Sequence, residues 1–223
     1  MDSSGRRGSM KGPIFFAAVV SLGLTLLRVW GEKNGWSPRF FNREPGGPFS
    51  IVAIIWLVPI LGIWFSMRLG ELGRGPASKG RALLFPIVGF ALIGAAGSVV
   101  GDPDSPVTPF QKVALINAAG AVAGFLSFLG WKELGRTLLV YGYLARIPVV
   151  VVTYFAMQQN WGTHFEKGLP GLPEMPFLQR WLVVGVLPQF VTWIGSTITI
   201  GSLFGGLFAL LHRSRSPEPA PAA

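Results

Sequence analysis

The 223-residue sequence predicts an all-α integral membrane protein, a bundle of about six transmembrane helices. Hydrophobic residues make up 50% of the chain and charged residues only 13%, whereas a soluble domain carries about 25% charged residues. Apolar stretches of about 20 residues, long enough as helix to cross a ~30 Å hydrocarbon core, recur along the whole chain. A bilayer is therefore the expected solvent, because the chain has too little polar surface to cover a soluble globule.

Six apolar runs are the predicted spans, and together they make a single transmembrane domain over residues 13–211. Their approximate bounds are 13–30, 49–67, 82–100, 109–129, 136–158 and 177–211. In this interpretation the basic segment 1–12 is a cytoplasmic tail, and the low-complexity residues 212–223 form a disordered tail.

The first and last runs need separate arguments. Arg6, Arg7 and Lys11 precede the first run as in a signal sequence, but "RVWGEKNGW" after it lacks the small-x-small pattern of a cleavage site. We therefore expect an uncleaved first helix. The last run would be ~52 Å long as a continuous helix, too long for an untilted span. We expect it to begin at the interface and to bend near Pro188, because proline interrupts helical hydrogen bonding.

Lysine and arginine counts predict the orientation. The side of the two termini collects Arg6, Arg7, Lys11, Arg68, Arg74, Lys79, Arg81, Lys132, Arg136, Arg213 and Arg215, which makes eleven. The other side collects Arg28, Lys33, Arg39, Arg43, Lys112, Lys167 and Arg180, which makes seven. Since basic residues favour the cytoplasmic side, both termini are expected in the cytoplasm, and the membrane is expected to be a bacterial cytoplasmic (inner) membrane. These residues flank apolar runs, so the net charge of +9 does not predict nucleic-acid binding.

Arg146 lies deep inside the fifth run, in "YGYLARIPVVVVTYF". If that helix begins near Arg136, Arg146 is about 15 Å along it, close to the middle of the bilayer. A cation at that depth costs at least ~2.5 kcal/mol and is normally turned toward protein or a wet cavity. All ten acidic residues fall in predicted tails and loops, so the usual intramembrane ion pair is not expected.

The partners of Arg146 must then be neutral groups, a loop carboxylate that folds inward, or an external anion. Tyr143 and Thr153 share its helical face, Asn117 and Gln189 are neutral acceptors in other spans, and Pro148 leaves a backbone carbonyl free. One interpretation is an arginine that snorkels while bonded to carbonyls. The other is a guanidinium fork that binds a phosphate or carboxylate headgroup between helices.

Two further patterns predict how the helices pack. Gln189, Thr192, Ser196 and Thr199 form one stripe of the last span, and we favour interhelical hydrogen bonding over a hydrated groove for them. Small residues four apart allow close helix approach, and three such pairs occur in spans three, four and six: Gly97 with Gly101, Gly120 with Gly124, and Gly201 with Gly205. They indicate either intramolecular packing or a dimer seam, and we favour intramolecular packing.

The segment "QQNWGTHFE" closes the fifth helix on the outer side. Asn160, Trp161, His164 and Glu166 could form a headgroup or substrate site at the mouth of a cavity, although a capped helix end with an interfacial tryptophan explains the same residues. His164 and Glu166 suggest an acid–base or metal pair only if further ligands join them.

The residues that are missing exclude many activities. The chain has no cysteine and only two histidines, His164 and His212, which the predicted topology places on opposite faces. Disulfides, thiolate metal sites, bis-histidine haem and HExxH chemistry are therefore excluded. The sequence also has no GxSxG, P-loop or EF-hand motif. We expect no catalytic residues, no metal and no cofactor.

Three functions remain open. The first is a non-enzymatic multi-pass protein that binds membrane lipids, anionic ones among them, or other membrane subunits, as an accessory or scaffold. The second is a carrier or channel for an anionic or amphiphilic solute, whose charge Arg146 would bind. The third is a lipid-modifying enzyme that uses the "NWGTHFE" segment. The sequence does not give the ligand, the partner or the oligomeric state.

Overall fold

The computed structural model describes residues 8–43 and 55–212. Helices are their only regular secondary structure, and no strand forms among them. The six long helices are α1 Lys11–Lys33, α2 Leu57–Glu71, α3 Lys79–Gly101, α4 Pro109–Gly130, α5 Lys132–Gln159 and α6 Phe177–Leu211. A single 3₁₀ turn, His164–Glu166, lies between α5 and α6.

Five of these helices, all except α2, are long and apolar enough to cross a membrane. An all-helical chain with this many apolar helices is a helical membrane protein in its architecture. α2 has 15 residues, and residues 49–54 of the predicted second span lie outside the described residues.

The helices extend beyond several of the predicted apolar runs. α1 continues to Lys33 rather than residue 30, and α5 begins at Lys132 rather than residue 136. Hydropathy detects only the apolar part of a helix, whereas intrahelical hydrogen bonding continues into the headgroup region. One consequence is that Glu32 lies in the last turn of α1 and is fully buried. The prediction that every acidic residue falls in a tail or loop was therefore wrong.

The backbone of α6 changes type along its length. It is α-helical at Phe177–Arg180, π-helical at Trp181–Val186 and Pro188–Thr192, and α-helical again from Trp193 to Leu211. Pro188, where the sequence predicted a bend, therefore heads the second π-helical segment. A π-helix is widened locally by hydrogen bonds between residues five apart, and such segments often occur at functional sites.

The second half of α6 packs closely against four other helices. A Cβ added at Gly205 would lie 2.7 Å from the Leu134 side chain of α5 and 2.8 Å from the Gly62 carbonyl of α2. One added at Gly206 would lie 2.5 Å from the Ala82 carbonyl of α3. Gly195 faces the backbone of Gly120 in α4. Only glycine allows backbones to approach this closely, so the second half of α6 forms the centre of the bundle.

The six predicted packing glycines divide into two groups. A Cβ at Gly120, Gly124 or Gly201 would lie 2.6–2.8 Å from an atom of a neighbouring helix, and Gly205 behaves in the same way. Gly97 and Gly101 have no such contact within 4 Å, because this face of α3 points away from the other described helices. The close contact predicted at this pair is therefore not formed.

Contacts between helix ends define two ends of the bundle. At the terminal end, the Lys79 Nζ donates to the His212 carbonyl at 3.2 Å and the Trp131 indole donates to the Arg74 carbonyl at 3.1 Å. At the opposite, distal end, the loop after α5 contacts the last turn of α1 through His164 and Glu32.

Candidate functional site

Arg146 lies at the middle of the 28-residue helix α5, about 21 Å from its start. The side chain is buried, with 6% of the residue exposed. Its Nη1 donates a hydrogen bond to Gln189 Oε1 on α6 at 3.2 Å. Its guanidinium carbon lies 5.0 Å from the centroid of the Trp193 ring, within cation–π range. The arginine therefore sits between α5 and α6, at the junction of the π-helical and α-helical parts of α6.

No carboxylate of the described chain pairs with Arg146. The ion pairs among those residues are Arg28–Glu32, Arg68–Glu71 and Arg136–Glu133. A guanidinium carries five N–H donors, and Gln189 is the acceptor of the one hydrogen bond that this guanidinium makes in the structure. Most of its donor capacity is therefore not used by the described protein groups.

The structure brings together only part of the predicted arginine site. Gln189 bonds Arg146, and Thr153 is buried about two helical turns further along α5, against Gly185 of α6. Asn117 does not take part, because its amide oxygen accepts from Thr192 at 3.0 Å and its amide nitrogen donates to the Val113 carbonyl.

Tyr143 also lies away from the guanidinium. It is 43% exposed, and its ring is 5.7 Å from that of Phe190. The three-residue step from Tyr143 to Arg146 turns about 300°, so the two side chains are about 60° apart on the helix. This offset places Tyr143 on the lipid-facing side of the α5–α6 seam.

Two aromatic residues near this region were not predicted from the sequence. Trp193 is four residues after Gln189, so the helical period alone places both on one face of α6. Tyr141 is 1% exposed, and its hydroxyl is 2.8 Å from the Ser21 Oγ of α1. No local signal in the sequence links Ser21 to Tyr141, because they are 120 residues apart.

The polar stripe of α6 forms hydrogen bonds between helices. Thr192 bonds Asn117, and Thr199 accepts from Ser127 of α4 at 3.2 Å. Ser196 is buried on the same stripe. These contacts are hydrogen bonds between helices, the interpretation that we favoured for this stripe from the sequence.

The distal end holds a second polar group, which we name the distal cluster: Arg28, Glu32, Arg43 and His164. Glu32 is 0% exposed. Its Oε1 accepts from the Arg28 Nε at 2.7 Å and from the His164 Nδ1 at 2.6 Å, and its Oε2 accepts from the His164 backbone N–H at 2.9 Å. Arg43 donates to the Glu32 backbone carbonyl. The buried Glu32 carboxylate at the end of α1 thus binds the loop after α5, which is 132 residues away in the sequence.

The loop after α5 turns His164 toward α1. Asn160 has a left-handed backbone with φ of 49° and Gly162 has φ of 70°, so the chain reverses directly after the helix. The Thr163 backbone N–H then donates to Glu166 Oε1 at 2.6 Å, which holds the start of the 3₁₀ turn.

The four predicted outer residues therefore have separate roles. Trp161 lies under the Lys33 Nζ at 4.1 Å, Asn160 and Glu166 shape the turn, and His164 binds Glu32. His164 and Glu166, which the sequence suggested as a pair only with further ligands, bind different partners: His164 binds Glu32, and Glu166 accepts from the Thr163 N–H.

Burial lowers the pKa of His164 below its usual value of 6.5, and the hydrogen bond to the Glu32 carboxylate offsets this only in part. The nearby Arg28 and Lys167 charges also lower this pKa. His164 is therefore neutral at pH 7, with its Nδ1–H donating to Glu32. In the same parts of the chain, no three or more His, Cys, Asp or Glu residues form a group that could hold a metal ion.

Comparison of the chain with protein-family models, curated proteins and solved structures gave no match.

Proposed function

We propose that this protein is a non-enzymatic multi-pass membrane protein that binds the anionic headgroup of a lipid or amphiphile at Arg146. The observation that carries the proposal is a buried guanidinium, midway along a candidate span, with one neutral hydrogen-bond acceptor and no carboxylate partner in the described chain. A phosphate or carboxylate accepts two parallel hydrogen bonds from a guanidinium fork, and this interaction is stronger in a low-dielectric site.

The surroundings of Arg146 suit an amphiphilic ligand. Gln189 and Trp193 hold the guanidinium on the α6 side. Tyr143 and Leu187, which are 43% and 40% exposed, lie on the neighbouring surfaces of α5 and α6. A headgroup bound to Arg146 can therefore leave its acyl chain on the apolar outer surface of these helices, in contact with the surrounding lipid.

The proposal includes the topology predicted from the sequence. The chain crosses a bacterial inner membrane six times, with both termini in the cytoplasm. Support comes from the five apolar helices of sufficient length, from the position of α2 beside α6, and from the excess of basic residues at the terminal end.

A carrier for an anionic amphiphile is the second candidate, and the π-helical backbone beside Arg146 favours it. Such a segment is less tightly wound and can change its register more readily than a regular α-helix. Proteoliposome flux separates the two candidates, because a binding protein retains its ligand without moving it and a carrier moves it in an Arg146-dependent way.

The first prediction concerns Arg146→Leu. The purified protein is placed in nanodiscs of a neutral lipid that contain a small fraction of phosphatidylglycerol. Native mass spectrometry of the protein released from these nanodiscs should detect a complex with the anionic lipid. Arg146→Leu should lose that lipid, because the leucine provides no donor. Arg136→Leu, at an exposed ion pair of the terminal end, is the matched control and should keep it.

Two further samples identify the ligand class. Inorganic phosphate offered in place of the anionic lipid shows whether the headgroup alone is sufficient, and Arg146→Lys keeps the charge but removes the planar fork. Equal retention of anionic lipid by the wild type, Arg146→Leu and Arg136→Leu would overturn the proposal. Recovery of the wild-type protein without any bound ligand would overturn it as well. The next experiment would then be the capture of protein partners from native membranes.

A further inference from the structure

We propose that Gln189 and Trp193 form, together with Arg146, a site that is selective for the phosphate group of a phospholipid over a carboxylate. This inference rests on the proposed function, which places an anionic headgroup at Arg146, and it assigns the chemical class of that headgroup. The evidence is a surplus of hydrogen-bond donors on these three side chains.

The carboxamide of Gln189 does not use its N–H groups on the guanidinium. A guanidinium contains only donors, so the atom of Gln189 that lies 3.2 Å from Arg146 Nη1 is the amide oxygen. The amide nitrogen of Gln189 belongs to the same planar group and has no hydrogen-bond acceptor in the described chain. Its two donors are therefore left over beside the arginine.

Trp193 adds a different kind of donor. It follows Gln189 by about one helical turn, and its ring centroid lies 5.0 Å from the guanidinium carbon of Arg146. The indole N–H of Trp181, earlier on the same helix, donates to the Val150 carbonyl. The indole N–H of Trp193 makes no hydrogen bond to any described residue. Trp193 thus combines an aromatic face that attracts the guanidinium with an unused donor at the ring edge.

The unused donors are accessible. Among the described residues, the fully buried side-chain polar atoms that lack a hydrogen-bond partner are Thr163 Oγ1 and Ser202 Oγ. The unused nitrogens of Arg146, Gln189 and Trp193 do not belong to this group, so each of them reaches the protein surface. Because both α5 and α6 are candidate spans, a ligand reaches these nitrogens from within the membrane.

The type of donors favours a phosphate as their acceptor. A guanidinium and an indole present only donors, and the amide oxygen of Gln189 already accepts from Arg146. A carboxylate has two oxygens, and both are occupied by the guanidinium fork alone. A phosphodiester has ester oxygens in addition to its two charged oxygens, so it can accept from the fork, the amide and the indole together. A bound carboxylate leaves the amide and indole donors unpaired, whereas a bound phosphate does not.

Two lipids that differ in the acid carrying the charge test this selectivity. Phosphatidylmethanol and succinyl-diacylglycerol with the same acyl chains are both singly charged at neutral pH, on a phosphate in the first and on a carboxylate in the second. Equal amounts are added to the purified protein in a non-ionic detergent, and native mass spectrometry measures the retained lipid. The wild type should retain about tenfold more phosphatidylmethanol, because the carboxylate leaves donors unpaired.

Trp193→Phe isolates the contribution of the indole donor. Phenylalanine keeps an aromatic face for the guanidinium but has no N–H, so retention of phosphatidylmethanol should fall about fivefold while retention of the carboxylate lipid stays the same. Trp181→Phe is the matched control on the same helix. Its indole N–H already donates to the Val150 carbonyl, so this variant should keep the wild-type preference.

Gln189→Glu tests the amide donors. The substitution keeps the size of the side chain and an acceptor for Arg146, but it replaces the N–H groups by a second oxygen. The new carboxylate pairs with the guanidinium, so both lipids should be lost. Gln179→Glu, at an exposed position in the first turn of α6, adds the same charge away from the site and should retain both lipids as the wild type does.

The outcomes separate this inference from the proposed function. Equal retention of the two lipids by the wild type, with loss of both in Arg146→Leu, would overturn the selectivity and leave the proposed function in place. Retention of neither lipid by the wild type would overturn both.

Three further results would overturn the inference alone. The first is the same retention of phosphatidylmethanol in Trp193→Phe and Trp181→Phe, because Trp193 would then take no part in binding. The second is wild-type retention of phosphatidylmethanol by Gln189→Glu. The third is Arg146-dependent retention of inorganic phosphate by the lipid-free protein, which would assign the site to a soluble phosphate rather than to a phospholipid.

Discussion

Glu32 and Arg146 are both buried charges, but their surroundings differ. Glu32 has two cationic or polar partners within 2.7 Å on Oε1 and a backbone donor on Oε2. Arg146 has one neutral acceptor and one aromatic ring. A buried charge with well-placed donors contributes to structure, whereas a buried charge with unused donors is a candidate site for a ligand.

The residue-scale prediction concerns Glu32→Ala. The substitution leaves Arg28 and His164 without their buried acceptor, and loss of one partner of a buried ion pair costs about 3–5 kcal/mol. The free energy of unfolding, measured in mixed micelles, should fall by an amount of this order. Glu71→Ala is the control, because its ion pair with Arg68 is more than half exposed on both side chains and contributes little. Equal losses for the two variants would show that the distal cluster does not stabilise the fold.

At the scale of a single element, α6 combines a tightly packed half with a loosely packed one. Gly195 lies against Gly120, and Gly124 lies against Gly195, so the backbones of α4 and α6 touch at the start of the packed half. The π-helical turns end at Thr192, just before this contact. α6 thus joins a π-helical segment to a half whose backbone is in direct contact with another helix.

The element-scale prediction concerns Gly195→Ala. A Cβ at this position collides with the backbone of Gly120, which is part of another helix and cannot rotate away. Overpacking of this kind costs about 1–3 kcal/mol, so thermal unfolding followed by tryptophan fluorescence should occur at a lower temperature. Gly97→Ala is the control, because no contact lies within 4 Å of the added methyl group. A variant at Gly195 as stable as the one at Gly97 would contradict the packing described for α6.

At the scale of the whole molecule, charge and contacts divide the bundle into the same two ends. The terminal end brings together the Lys79, Arg74 and His212 segments. The distal end holds the Glu32–His164 contact. The charge bias in the sequence predicts that the terminal end faces the cytoplasm.

The whole-molecule prediction concerns this orientation. Ser105→Cys, in the loop between α3 and α4, should react with a membrane-impermeant maleimide in intact spheroplasts. Ala77→Cys, in the loop between α2 and α3, should react only after the membrane is permeabilised. Neither label has a competing thiol, since the natural chain has no cysteine. The opposite pattern would invert the proposed topology, and equal labelling of both sites in intact spheroplasts would contradict a membrane-spanning α3.

Much of the distal cluster could not be predicted from the sequence. Glu32 and His164 are 132 residues apart, and no helical period relates them. Their contact depends on the left-handed turn at Asn160 and on the helical end of α1 extending to Lys33. In contrast, Gln189 was predicted as an acceptor for Arg146 because few neutral polar residues occur in the apolar runs.

The sequence by itself determined the helical membrane architecture, because the length and composition of its apolar runs satisfy a bilayer whatever their order in space. It also predicted that Arg146 lies deep in a span whose apolar run carries no carboxylate. Only the tertiary structure decided that Gln189 and Trp193 hold this arginine, that Asn117 and Tyr143 do not, and that Glu32 binds His164. The reason is physical: hydropathy is a property of one segment, whereas a hydrogen bond between helices depends on the rotation and register of both.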